Sequence, residues 1–191
     1  MKDFYKKNEE AIREELRSVM PFLAAILKLE GTERLLKMIY GNADQAAELT
    51  RKKVKVLCSK GCSFCCHDKI IMSHIEGQHF LSNLKKLNIK PNRGRLKRQN
   101  KTKFENLKWK DKACSFLGED GSCTIYEIRP LICRTHNNIG NSVDDCDKSE
   151  NPNKTVLESY TIEMTARSFA LFLLSGDKPE VTIHGLLKNK Y

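Results

Sequence analysis

The chain has 191 residues, 40% hydrophobic and 30% charged, with a formal net charge of +10 and eight cysteines. That length supports one apolar core, and ten glycines and five prolines exclude a collagen-like or low-complexity disordered chain. The longest apolar stretches, Pro21 to Leu27 and Phe169 to Leu174, fall far short of the roughly 20 residues a membrane-spanning helix needs. Met1 to Glu10 mixes acids and bases and makes a poor export signal. The expectation is a soluble, cytoplasmic, mainly α protein with no membrane role. It reads as one domain over 1–191, with helices around an irregular, metal-stapled, cysteine-rich centre.

In chain order, residues 1–57 form an N-terminal helical part. Ile12, Leu16, Met20, Leu23 and Ile26 recur largely at three- and four-residue steps over Asp3 to Leu29, and Pro21 should kink or divide that helix. Gly31-Thr32 interrupts, with Thr32 a plausible N-cap for a helix carrying Leu35, Leu36, Met38 and Ile39. Gly41-Asn42 interrupts again before a further helix over Ala43 to Val54.

The metal-binding region spans 58–146. Cys58-Ser-Lys-Gly-Cys62-Ser-Phe-Cys65-Cys66 places four cysteines in nine residues. Cys62-x-x-Cys65 is the spacing at which one tight turn points two thiolates at a shared ion, and Gly61 supplies the freedom such a turn needs. Without an export signal these thiols face a reducing cytosol, where clustered cysteines hold metal or do redox work rather than form stable disulfides. Adjacent side chains of an extended segment diverge, so Cys65 and Cys66 suit a polynuclear cluster or two neighbouring sites better than one ion. An amphipathic stretch follows over Ile70 to Leu87. Among His67, His74 and His79 in or near it, His67 is best placed to complete a site.

From Lys85 to Lys112 there are twelve Lys or Arg against Glu105 and Asp111. This basic spacer reads as a solvated connection. The competing reading is a nucleic-acid surface on which Phe104 and Trp109 stack bases. The second cysteine group is Cys114, Cys123 and Cys133, with Cys146 further on. Gly118 to Gly121 should fold Cys114 back toward Cys123 as a hairpin. Thr124-x-x-Glu127 has capping-box spacing, which would put Cys123 just before a helix start. Arg129 and Arg134 flank Cys133 and would offset thiolate charge. The C-terminal part, 155–191, reads as a helix over Thr155 to Ser175, then a loop with a short apolar segment at Ile183 to Leu187.

Cys58, Cys62, Cys65 and Cys66, followed by Cys114-x-x-Leu117, Gly121-x-Cys123-Thr-Ile-Tyr-Glu127, Arg129-Pro130 and Cys133-Arg134, resemble the bacterial zinc- or iron-chelating cysteine-cluster family (YkgJ-like). Members often carry two residues between the first two cysteines, where this chain has three. The resemblance implies a metal-chelating domain with Cys58, Cys62, Cys65, Cys66, Cys114, Cys123 and Cys133 as metal ligands. Its cofactor would be zinc or iron, the latter as a 4Fe-4S cluster. Cys146 lies outside the shared motif, and whether it, His67 or His136 joins the ligands stays open. Some longer relatives resemble flagellin lysine N-methylases, in which a similar cysteine domain is thought to hold an iron–sulfur cluster beside a further C-terminal region. This chain is too short for that region and shows no Gly-rich methyl-donor loop after a strand. Three functions therefore compete. One is a metal-chelating protein, the second an iron–sulfur enzyme acting on a protein substrate, and the third a basic metal module that binds nucleic acid.

Overall fold

The computed structural model describes residues 2–59, 61–151, 161–178 and 180–188. Two long helices open it, α1 (Lys2–Leu29) and α2 (Gly31–Lys53). Their apolar residues fall on one stripe each: Ile12, Leu23 and Ile26 on α1, and Leu35, Leu36, Ile39, Ala43 and Ala47 on α2, all buried. The C-terminal helix α7 (Ile162–Leu174) lays Met164, Ala166, Ala170 and Leu171 against them. The Arg167 guanidinium reaches Glu15 at 3.3 Å across the α1–α7 seam. This bundle holds the first core, in which Leu35, Leu36 and Ile39 are fully shielded from solvent.

Packing overrides several of the breaks the sequence suggests. Pro21 sits inside α1 without ending it, and the departure from helical backbone falls at Asn8 (φ −119°, ψ 16°). There the Asn8 amide donates to the Phe4 carbonyl at 2.8 Å, the local competition with helix that asparagine offers. Thr32 does not cap α2, which starts at Gly31 with no side-chain cap. Gly41-Asn42 does not break α2 either, because Ile39 and Ala43 on either side are buried in the bundle.

The remaining elements are short. Strand β1 (Ile71–Met72) pairs antiparallel with β2 (Val181–Thr182), Ile71 opposite Thr182 and Met72 opposite Val181. Between them in sequence lie α3 (His74–Lys86), α4 (Arg93–Gln99), α5 (Trp109–Lys112) and α6 (Leu131–Thr135), and α8 (Ile183–Lys188) follows β2. Ser73 caps α3 by accepting the Glu76 amide at 3.2 Å, and Asn92 caps α4 by accepting that of Arg95 at 3.0 Å. A second core gathers here from Met72, Phe80, Leu84, Leu96, Phe116, Ile125, Ile183 and Leu187. Phe80 and Phe116 meet edge to face at 5.7 Å. The spacer is therefore folded around buried Leu96 and Gln99 while its Lys97, Arg98, Lys101 and Lys103 face solvent.

The architecture is mainly α, as expected. The tail is a correction: the region read as a loop holds β2 and α8, because Ile183 and Leu187 have an apolar seat in the second core. The helix expected from Thr155 is seen from Ile162, and Thr155 to Tyr160 lie outside the described residues. Among the described residues no helix is long and apolar enough to cross a membrane.

Candidate metal centre

Short turns, not long elements, carry the cysteines. Beyond α2, Leu57 donates to the Asn138 carbonyl at 2.9 Å, and the Asn138 amide returns a bond to the Cys58 sulfur at 3.3 Å. Cys62 closes a turn onto the Ser59 carbonyl at 3.0 Å, with Gly61 at φ +89°. A 3-10 turn over Phe64–His67 then carries Cys65 and Cys66. That overturns the extended reading of the vicinal pair, since both residues sit in one tight turn and Cys66 raises the Cys65 pKa.

The second group is fastened to the first through backbone, as Cys114 donates to the Cys66 carbonyl at 2.7 Å. The expected hairpin is present. Leu117 bridges Cys123, Gly118 donates to the Ser122 carbonyl at 2.8 Å, and Gly121 takes φ +77°. A Cβ on Gly121 would stand 2.8 Å from the Gly61 carbonyl oxygen, so the two cysteine loops touch glycine to glycine. The expected capping box after Cys123 does not form. Thr124 turns its hydroxyl to the Phe116 carbonyl at 2.8 Å, and the 3-10 turn Tyr126–Ile128 starts without a side-chain cap.

Cys133 rides on α6, and α6 is held by a buried carboxyl. Glu76, on α3, accepts from the Leu131 amide at 2.6 Å and from the Tyr40 hydroxyl at 2.8 Å. Burial pushes its pKa up against those bonds and against nearby Arg134. Arg134 itself is spent on structure. It pairs with Asp44 at 2.6 Å, donates to the Arg129 and Glu127 carbonyls, and stacks on the Tyr40 ring. The reading that it offsets thiolate charge is thus replaced by a role in holding α2 to α6. Arg129 keeps the expected part, since it lowers the Cys123 pKa while stacking on Tyr126 at 3.7 Å. Arg95 does the same for Cys114, a role its place in the basic spacer concealed.

The electrostatic couplings sort the thiols into two sets. Cys65, Cys114, Cys123 and Cys133 form a complete quartet in which each ionised member disfavours ionisation of others. Burial, the leading cause, and these neighbours push Cys114 up to about 11 and Cys133 well above the usual thiol range. Cys65 is raised first by its bond to Cys66 and then by burial. On the flank, Cys58, Cys62 and Cys146 form a trio that also reaches Cys65. Cys146 is buried and pushed up to about 11, burial leading. Three sulfurs each have their pKa lowered by the backbone N–H two residues on: Cys62 by Phe64, Cys114 by Phe116 and Cys123 by Ile125. These donors favour the thiolate, the form a metal binds.

Of the sequence-predicted ligands, Cys65, Cys114, Cys123 and Cys133 come together as one set, Cys66 touches Cys65, and Cys58 and Cys62 stand with Cys146. Asn138 ties that trio: its backbone amide reaches Cys58, and its side-chain amide donates to the Cys146 sulfur at 3.2 Å. No sequence pattern marks Asn138. Cys146 had a signal in Ser142-x-x-Asp145, a capping box that sets the 3-10 turn Val143–Cys146. Among the histidines, His67 stacks on Trp109 at 4.6 Å and its Nδ1 lies 3.2 Å from the Ser63 carbonyl. His74 and His79 belong to α3, and burial pushes His79 down. Among the described residues no group of three or more His, Cys, Asp or Glu side chains stands ready to hold a single metal ion.

The structure is thus a mainly helical scaffold that presents thiols from turns, with Arg95 and Arg129 near enough to lower the pKa of Cys114 and Cys123. The model of the CxxCxxCC family, zinc- or iron-chelating domains, matches residues 57–157. That is more than half of the chain and takes in all eight cysteines, and the chain belongs to this family. No curated protein and no solved structure matches it.

Proposed function

We propose that the protein chelates metal through two adjoining thiolate sets, a quartet of Cys65, Cys114, Cys123 and Cys133 and a flank of Cys58, Cys62 and Cys146, with Cys66 beside their junction. The observation that carries this reading is the quartet. Four thiols drawn from far-apart stretches of chain lie near enough for their charges to couple, and a bound cation would take the place of their protons. The donor set fits the group, because thiolates suit zinc and iron–sulfur clusters alike, and the surrounding N–H donors and Arg95 and Arg129 stabilise an anionic centre. Bound there, the metal would supply a cross-link between the first cysteine loop, the Gly118–Gly121 hairpin and α6. Four thiolates would leave a bound zinc no open position, as in a structural site.

Cys62→Ser and Cys123→Ser test the two sets separately. Each should lower bound metal and the thermal midpoint, and full metal content in both would refute the proposal. Iron is favoured over zinc by the surplus of thiols beyond four and by the Cys65–Cys66 contact. Protein purified without oxygen should then be brown, bleach on oxidation, and hold iron and acid-labile sulfide in similar amounts. Colourless protein with zinc and no sulfide would assign the same ligands to zinc.

A further inference from the structure

A cleft of about 650 Å³ opens beside Cys114 and Ser115, within the range of about 300–1,000 Å³ that small-molecule sites occupy. Three of its walls carry a buried polar atom with no hydrogen-bond partner among the described residues: Asn100 Oδ1, Ser115 Oγ and His184 Nδ1. They come from the end of α4, the loop after Cys114 and α8, so chain elements distant in sequence present the same defect to one space. Ser115 is 3% exposed. A buried orphan of this kind is costly, and native proteins keep few without a use. Gln99, which also lines the cleft, shows the contrast, since its amide is satisfied by the Asp111 and Ala113 carbonyls at 3.0 and 2.8 Å.

The rim is cationic. Lys69, Lys101, Lys103, Lys112 and Lys188 line the cleft against Asp68 and Glu105. Both acids are already engaged, Asp68 by Lys148 at 2.8 Å and Glu105 by Lys69 at 2.8 Å. Lys101, Lys103, Lys112 and Lys188 have no ion-pair partner among the described residues. Phe104 adds an apolar wall, with the Lys112 ammonium 5.8 Å from its ring centre. Lysines call for an anion of more than one charge. Asn100 Oδ1 accepts only, so it calls for a hydroxyl or amine on the same molecule. A bare inorganic anion satisfies the first demand and not the second.

We propose that this cleft binds a small phosphorylated compound bearing hydroxyl groups, of the sugar-phosphate or nucleotide class. The exposed lysines take the phosphoryl oxygens, while Ser115, Asn100 and His184 hold the hydroxyl-bearing part. Burial and Lys188 push the His184 pKa down, so the ring faces its ligand neutral. The site is separate from metal chelation, and Cys114 is the one residue that joins them.

The test is calorimetric titration of the metal-loaded protein with ribose 5-phosphate, magnesium-saturated ADP and pyrophosphate, at low and high salt. Ribose 5-phosphate, ADP or both should bind one to one, more tightly than pyrophosphate and more weakly at high salt. Lys103→Glu combined with Lys188→Glu should weaken binding by about tenfold or more. Both positions are exposed, and unchanged metal content and helical signal certify the double variant's fold. Ser115→Ala should weaken ribose 5-phosphate about fivefold, the loss of one hydrogen bond, and leave pyrophosphate unchanged. A preference for ribose 5-phosphate alone assigns a sugar phosphate, and one for ADP alone a nucleotide. The proposal is overturned if none of the three binds, or if pyrophosphate binds as well as the others and Ser115→Ala changes nothing. Affinity for single-stranded RNA that rises with its length and exceeds that for ADP overturns it too, and makes the spacer a nucleic-acid surface.

Discussion

The α1–α2–α7 bundle and the cysteine-bearing half are stabilised by different physics. In the bundle, long helices bury continuous apolar stripes, and Leu35, Leu36 and Ile39 have no contact with solvent. In the other half the elements are mostly single turns, too short to hold their own conformation. The bundle's stability is spread over many interchangeable contacts. The thiol half has the second core, against which Cys114 and Cys123 pack, and on the proposed chelation a metal would add the cross-links its short turns lack.

Removing the metal should have the largest effect. With a strong chelator the thiol half should lose its order while the bundle keeps most of its helical signal, a change on the scale of about 10 kcal/mol for a structural metal. Hydrogen exchange resolved by residue would show protection lost from 58–146 and retained in α1 and α2. Uniform loss across the chain would erase the contrast between the halves.

The complementary experiment strikes the bundle. Leu36→Ala should lower the free energy of unfolding by about 2–5 kcal/mol, measured by denaturant titration, with bound metal unchanged. A smaller effect belongs to the seam of the flanking trio. Asn138→Ala removes the donor to Cys146 and should weaken metal binding by roughly 10- to 100-fold, read by competition with a chromophoric chelator, with the main apolar core intact. Asn138→Asp retains the shape while withdrawing the donor and should resemble the alanine variant.

The smallest effect concerns the joint between the halves. The Glu76 pKa is raised by burial, so its contribution to stability is full below the ordinary carboxylate value near 4.5 and is lost as pH rises through the folded-state value. Glu76→Gln retains an acceptor for Tyr40 and Leu131 while removing that titration. Its stability relative to the unmodified protein should rise with pH above about 4.5, as urea midpoints over a pH series would show. A constant difference at every pH would locate the pKa shift elsewhere.

What could be read beforehand divides along the same line. The turn at Gly61 and the Gly118–Gly121 hairpin are encoded within a few residues, and both formed as expected, although the couplings set Cys62 and Cys65 in different groups. The interruption at Gly31 was legible, whereas the breaks at Pro21 and Gly41 were misjudged because long-range burial in the bundle decides them, and local propensity is the weaker force. The tail helix α8 and strand β2 went unseen for the same reason, since their apolar seat comes from Met72, Phe80 and Leu84. Within the centre, Asn138 was out of reach because its importance lies in a contact made across eighty residues, to Cys58. Arg95 was hidden by its neighbours, one base among twelve.

The glycine contact between the two cysteine loops bears on the order of assembly. Gly61 and Gly121 meet so closely that a single methyl group on Gly121 would collide with the Gly61 carbonyl, yet the whole spacer separates them along the chain. Contacts of such span form late in folding, because closing the loop between them is entropically unfavourable until intervening structure has collapsed. The turn that carries Cys62 is local, so on the proposed chelation it would form before the quartet, which draws on the hairpin and α6. Metal present during refolding should then raise the yield of folded protein more than metal added afterwards.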